Sequence, residues 1–297
     1  MRISIPESAT RRTRSPAAIR PGRDALRRLS RNTGATIGAL LLLALVALAL
    51  LAPVLAHRDP IKINPPDGLK PPGKEFWFGT DQFGRDVYSR VIWGARLSLR
   101  VGVVAVLISV GGGVPLGLAA GYYGGWLDMA IMRLIDLMLA FPGILLALVI
   151  VTILGPGLSN VMLAVGIYGI PSYARVVRGS VLVVRGQPFV EAAQAVGCPA
   201  ARVVARHLLP NVVAPIIVLS SLNVAGAILT SAALSFLGLG AQPPTPEWGA
   251  LLNAGRDWVR DAWWLTTFPG LAIMLTVLAI NMLGDGLRDV LDPQLRD

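Results

Sequence analysis

The sequence predicts an all-α polytopic membrane protein with six transmembrane helices, and three observations carry that reading. Of 297 residues, 54% are apolar and only 15% charged, whereas a soluble domain carries about 25% charged residues. Mean hydropathy is +0.62. Five uncharged runs reach or approach the ~20 residues that cross a bilayer. The net charge of +10 invites a nucleic-acid reading, but nine arginines crowd into residues 2–31, directly before the first apolar run. That is the positive-inside pattern, and it places the N-terminus in the cytoplasm. A single cysteine, Cys198, excludes an internal disulfide.

The chain divides into four parts. Residues 1–31 form a basic cytoplasmic tail suited to anionic lipid. Residues 32–56 are the first transmembrane helix; Val54-Leu-Ala56 imitates a cleavage site, but the apolar run exceeds the 7–15 residues of a signal-peptide core, so it reads as an uncleaved anchor. Residues 57–98 form an external loop with an amphipathic helix at about 85–96. Within it, 68–74 imitates a phosphate loop, yet Glu75 stands where Ser or Thr is needed and two prolines lack N–H groups. Residues 99–297 hold five further spans. The second, 101–126, contains Gly113, Gly117 and Gly121, a spacing that leaves a groove for close helix contact. The third, 129–154, opens with Arg133 and Asp136, spaced for a local ion pair. The fourth, 157–174, is short and interrupted by Pro171. The fifth, 212–242, carries Ser220, Asn223 and Ser231 among other polar residues. Thr245 is placed to cap a short interfacial helix carrying Trp248, with Trp263 and Trp264 in an aromatic belt. The sixth runs over 262–284, which puts both termini inside.

Between the fourth and fifth spans, 187–210 reads as a helix–turn–helix unit outside the bilayer. Pro188 suits a first helical turn, and Glu191 sits where the helix dipole favours a negative charge. Gly197 suits a left-handed C-terminal turn. Pro199 opens a second short helix with Arg202 and Arg206, and Pro210 is expected to close the unit. His207 reads as a packing or hydrogen-bonding residue and Cys198 as a small turn residue.

This unit resembles the EAA loop of ATP-binding-cassette importer permeases: Glu191-Ala192-Ala193, Gly197 six positions after the Glu, then Leu209-Pro210. Its His207-Leu-Leu-Pro-Asn211 ending is similar to the peptide-type branch. The run Gly79-Thr-Asp-x-x-Gly-Arg-Asp86 resembles the segment before the second span in dipeptide, oligopeptide and nickel permeases. Leu139-Ala-Phe-Pro-Gly143, Ser235-Phe-Leu-Gly-Leu-Gly240 and Asn281-Met-Leu-Gly-Asp-Gly-Leu-Arg-Asp289 extend the likeness over nearly all of residues 30–297. The resemblance is to the C-type permease subunit of the peptide/nickel importer class.

That resemblance implies the type I importer permease fold, with 187–210 as a cytoplasmic coupling loop that docks on an ATPase through Glu191, Ala192, Ala193 and Gly197. The partners it implies are a second permease, two ATPase subunits that bind ATP and Mg, an extracytoplasmic substrate-binding protein and membrane lipid, with no nucleic acid. The chain itself is expected to hold no catalytic residue, metal or cofactor. Ser220, Asn223, Ser231 and Asn281 are candidates for the translocation path, each with a competing role in interhelical hydrogen bonding. Asp81, Arg85 and Trp248 are candidates for docking the binding protein. The cargo is expected to be di- or oligopeptides, with nickel, glutathione or another small solute as the alternative. A stand-alone carrier or channel is a weaker one, because the middle of every span is uncharged and ion-coupled carriers place ionisable groups there.

Overall fold

The computed structural model describes residues 32–291, so the basic tail expected at 1–31 lies outside the described residues. The first helix, α1 (Thr33–Leu50), begins where the Asn32 side chain accepts the Ala35 N–H at 3.1 Å. Pro53 starts a one-turn helix, α2 (Ala52–Leu55). After a loop come α3 (Val87–Tyr123), α4 (Gly125–Leu139), α5 (Gly143–Leu154) and α6 (Leu158–Arg185). Two short helices follow, α7 (Pro188–Ala195) and α8 (Ala200–Val203), then α9 (Leu209–Phe236), α10 (Trp248–Gly255) and α11 (Trp264–Leu291). Among the described residues the extended pairing is one isolated bridge, Thr80 to Asp86.

Several boundaries differ from the sequence expectation, each for a local reason. The amphipathic helix and the second span are one 37-residue rod, α3, capped by the Asp86 carboxylate on the Ser89 N–H at 2.8 Å. No breaker separates Arg96 from Val101, so the helix runs on to about 55 Å, well beyond the ~30 Å hydrocarbon layer. The third span is broken: α4 and α5 meet at 91°. Pro142 lacks an N–H and turns Phe141 away from helical geometry. Pro171, by contrast, does not interrupt the fourth helix, which continues to Arg185. It therefore takes up Arg175 and Arg178, which lie beyond the expected end of the span at 174. Nor does Pro210 close the helix–turn–helix unit. A widened π turn (Val204–Leu208), ending on Leu209 N–H to Val204 C=O, precedes it and carries the helix on into α9. Such a turn accommodates a ring and a missing donor that a regular turn cannot.

The glycines of α3 set the central packing. A Cβ on Gly113 would lie 2.5 Å from that of Tyr173, on Gly117 2.8 Å from that of Val177, and on Gly121 2.8 Å from that of Val181. Absent side chains let the backbones of α3 and α6 approach, as small residues do in bilayers. The partners rise together in number, so α3 and α6 run in the same direction. The bent α4–α5 pair must therefore carry the chain back from one end of the bundle to the other. α1 and α11 are antiparallel: Gly38 abuts Met282, and the Asn32 amide donates to Asp289 at 3.1 Å. Both ends of the described chain thus lie at the end of the bundle that holds α7 and α8. The opposite end is a cap built from residues 57–86 and α10. Among the described residues four helical stretches are long and apolar enough to cross a membrane, five if the bent pair is one span.

Candidate functional site

The elbow at 188–208 is a helix, a left-handed glycine and a second helix. Pro188 takes the first helical position after extended Gln187. The C-terminus closes with paired bonds, Cys198 N–H to Ala193 C=O at 3.0 Å and Gly197 N–H to Gln194 C=O at 2.9 Å, which satisfy carbonyls a helix end leaves open. Gly197 has φ +77°, a conformation costly for most L-residues. Three fully buried side chains, Val190, Val203 and Leu208, fasten the elbow to Val177, Val181 and Val212. The rest projects. Glu191, Ala192 and Gly197 are exposed and Ala193 half-buried. Phe189 is 45% and Val196 83% exposed, so the apolar side of α7 is displayed. Among the described residues Glu191, Arg202 and Arg206 form no ion pair. His207 is half-buried, its ring 6.3 Å from that of Phe189.

Beside the elbow, α4 is clamped to α6. Arg178 forks onto Asp128 with bonds of 2.5 and 2.6 Å, and Arg175 reaches Asp136 at 2.8 Å. The ion pair expected between Arg133 and Asp136 is replaced by this one, because α6 extends far enough to bring Arg175 alongside.

The four path candidates do not converge. Ser220 and Asn223 come together around Tyr173, whose hydroxyl donates to Ser220 at 3.2 Å. A 90 Å³ cavity between α3, α6 and α9 is lined by Asn223 with Ser109, Tyr168, Ser172 and Thr230. Ser231 is buried with its hydroxyl unpartnered within the chain. Asn281 is exposed in a separate 630 Å³ apolar groove between α9 and α11. Sequence reasoning misses Tyr168 and Ser172, which line that cavity, and Tyr173 beside Ser220, because isolated hydroxyls on an apolar helix carry no signal of what they face.

The three docking candidates lie inside the cap. Asp81 and Arg85 are each 5% exposed and Trp248 1%, so their side chains face into the cap. The Asp81 carboxylate accepts the Arg85 Nε–H at 2.6 Å and the backbone N–H groups of Phe83 and Arg85, with Arg90 at 3.7 Å. Trp248 donates to the Val91 carbonyl at 2.9 Å. The residue before it, Glu247, not Thr245, caps α10: it accepts from Gly249 and Ala250 and from the Ser98 hydroxyl. Trp264, expected in the aromatic belt, is buried and donates to Thr80 C=O at 3.0 Å; Trp263 stays exposed. Polar groups taken out of water need partners, and the motif residues supply one another. At the cap surface Lys70 hydrogen-bonds Asp67 and holds that carboxyl below its usual range. Among the described residues no three His, Cys, Asp or Glu gather as a metal site.

A bundle with a buried polar cap at one end and a projecting, partly apolar elbow at the other defines a polytopic membrane subunit built to work against neighbours. Residues 113–297 match the family described as binding-protein-dependent transport system inner membrane component, and 20–72 match the N-terminal transmembrane domain of oligopeptide transport permease C. The chain belongs to this family and is a C-type permease of the peptide ABC importer class. It is 48% identical to the dipeptide transport system permease protein DppC of Alkalihalophilus pseudofirmus, over 94% of this chain and 92% of that one. It is 47% identical to the glutathione transport system permease protein GsiD of Pectobacterium atrosepticum, over 93% and 92%. Among solved structures, the MetNI methionine ABC transporter in an inward-facing conformation shares the fold, with TM-score 0.56 and 19% identity over 68% of this chain and 96% of that one.

Proposed function

We propose that the chain is the transmembrane permease subunit of an ATP-driven importer of di- or oligopeptides. It forms the translocation path with a second permease and is coupled to cytoplasmic ATPases through the elbow. The observation that carries this is the elbow itself: Phe189, Glu191, Ala192, Val196 and Gly197 are displayed on a unit anchored only by its buried underside. Chains normally bury such apolar side chains; a contiguous display on a rigid base suits a docking partner. Six crossings, with the bent α4–α5 pair and α6 counted as one each, put both termini and the elbow on the cytoplasmic side, in keeping with the basic tail.

In this reading ATP and Mg are bound by the partner ATPases, whose closure moves the elbow. Anchored to α3, α6 and α9, it turns those helices as a rigid body between two packings. The polar cavity lined by Asn223 with Ser109, Tyr168, Ser172 and Thr230 is the part of the path that this chain contributes. The cap takes the substrate-binding protein on its exposed face, beside the buried Asp81–Arg85 pair rather than through it.

The test places a crosslinkable residue at Ala192 in the assembled complex and follows uptake of a labelled dipeptide. Crosslinking to an ATPase whose yield changes with nucleotide, together with uptake, supports the reading. An elbow that crosslinks to nothing in any nucleotide state overturns it. Relatives named for glutathione at 47% identity favour glutathione as a second cargo, and competition between labelled dipeptide and glutathione separates the two.

A further inference from the structure

We infer that α1 and α3 form a binding site for one anionic phospholipid in the leaflet on the cap side. Between the two helices, open to the outside, lies a groove of 1280 Å³ lined mainly by apolar side chains, among them Val46, Leu50, Leu97 and Val103. Arg96 and Arg100 stand in its wall, one helical turn apart and both exposed. Continuing down the same face of α3, Val103 and Leu107 are also exposed, at helical spacing. Two cations at one end of an apolar strip match an amphiphile with an anionic head and hydrocarbon tails.

The neighbouring polar groups are already engaged. Arg58 pairs with Glu75 at 3.2 Å and covers the Phe76 ring. Asp59 accepts the Ile61 N–H at 2.9 Å, and His57 stacks on Tyr88. Arg96 lies 5.2 Å from the Trp93 ring, and neither Arg96 nor Arg100 has an acidic partner among the described residues. Arginine donors in a fixed fork suit phosphate oxygens, and a cation buried against hydrocarbon without a counter-ion is unfavourable. A phosphodiester at the level of Arg96 supplies the counter-ion, while its acyl chains fill the groove. The site requires only a membrane around the chain and does not depend on the importer reading.

The test is native mass spectrometry of the full chain released from phosphatidylcholine nanodiscs containing a minor fraction of phosphatidylglycerol. Wild type should keep phosphatidylglycerol in preference to phosphatidylcholine. Arg96→Gln with Arg100→Gln should lower that preference by roughly ten-fold or more, with unchanged thermal unfolding. Val103→Trp, which fills the groove and leaves both charges, should lower it as well. Arg256→Gln with Arg260→Gln, on the exposed cap, should not. Equal retention by wild type and the arginine double variant overturns the proposal. So does a photo-crosslinker at Val103 that captures a second permease instead of lipid, or a changed uptake KM in the double variant with lipid retention intact.

Discussion

Gly84 and Gly197 adopt nearly the same left-handed backbone, φ +72° and +77°, in opposite surroundings. A Cβ on Gly84 would sit 1.8 Å from the carbonyl oxygen of Asn64, inside the cap; a Cβ on Gly197 meets nothing within 4 Å. The same contrast holds for whole regions. In the cap, the motif residues Thr80, Asp81, Arg85 and Asp86 are buried and partnered within the chain. In the elbow, the motif residues Glu191, Ala192 and Gly197 face outward. A motif that completes its contacts at home is a framework. One that projects with its contacts unmade is available to a neighbour.

Substitutions can break or sharpen this contrast. The largest effect is expected at Asp81→Ala, which leaves Arg85 and Arg90 buried without their anion. Breaking a buried pair from one side costs about 3–5 kcal/mol, so the detergent-solubilised chain should melt early or fail to accumulate. Gly84→Ala adds left-handed strain and a collision with Asn64, together about 2–4 kcal/mol, read by the same melting assay. Gly197→Asp should cost only about 1 kcal/mol in the isolated chain, since strain is its sole penalty there, yet abolish uptake and ATPase co-purification. Normal uptake by that variant would remove the elbow's coupling role. Glu191→Lys, on an exposed face, should change stability by less than about 0.5 kcal/mol while weakening ATPase co-purification. Melting losses as large as those at Asp81 would show the elbow to be a framework too.

Much of the fold was legible because local rules govern it. The Gly113, Gly117 and Gly121 spacing marked the close face of α3, and Gly197 announced its own turn. The errors fell at prolines and at charges. Pro142 bends the chain by 91° while Pro171 lets it continue; Pro142 is followed by Gly143, a pair that marks turns, and Pro171 by Ser172. Whether a proline breaks a helix depends on what packs around the freed carbonyl. Arg175 and Arg178 read as loop charges until α4 placed Asp136 and Asp128 opposite them. Of the path candidates, Ser220 and Asn223 met Tyr173 while Ser231 and Asn281 did not, because period and polarity locate a residue on a helix without naming the helix it faces.

By itself the sequence determined that this chain is helical, that it lives in a membrane, and where its elbow turns: hydropathy, capping and backbone freedom act over a few residues at a time. Only the tertiary structure decided which charged residues are buried, which helices run parallel, and that the cap is closed while the elbow stands open. Those outcomes rest on contacts between segments far apart in the chain, and burial is a property of the neighbours a residue acquires.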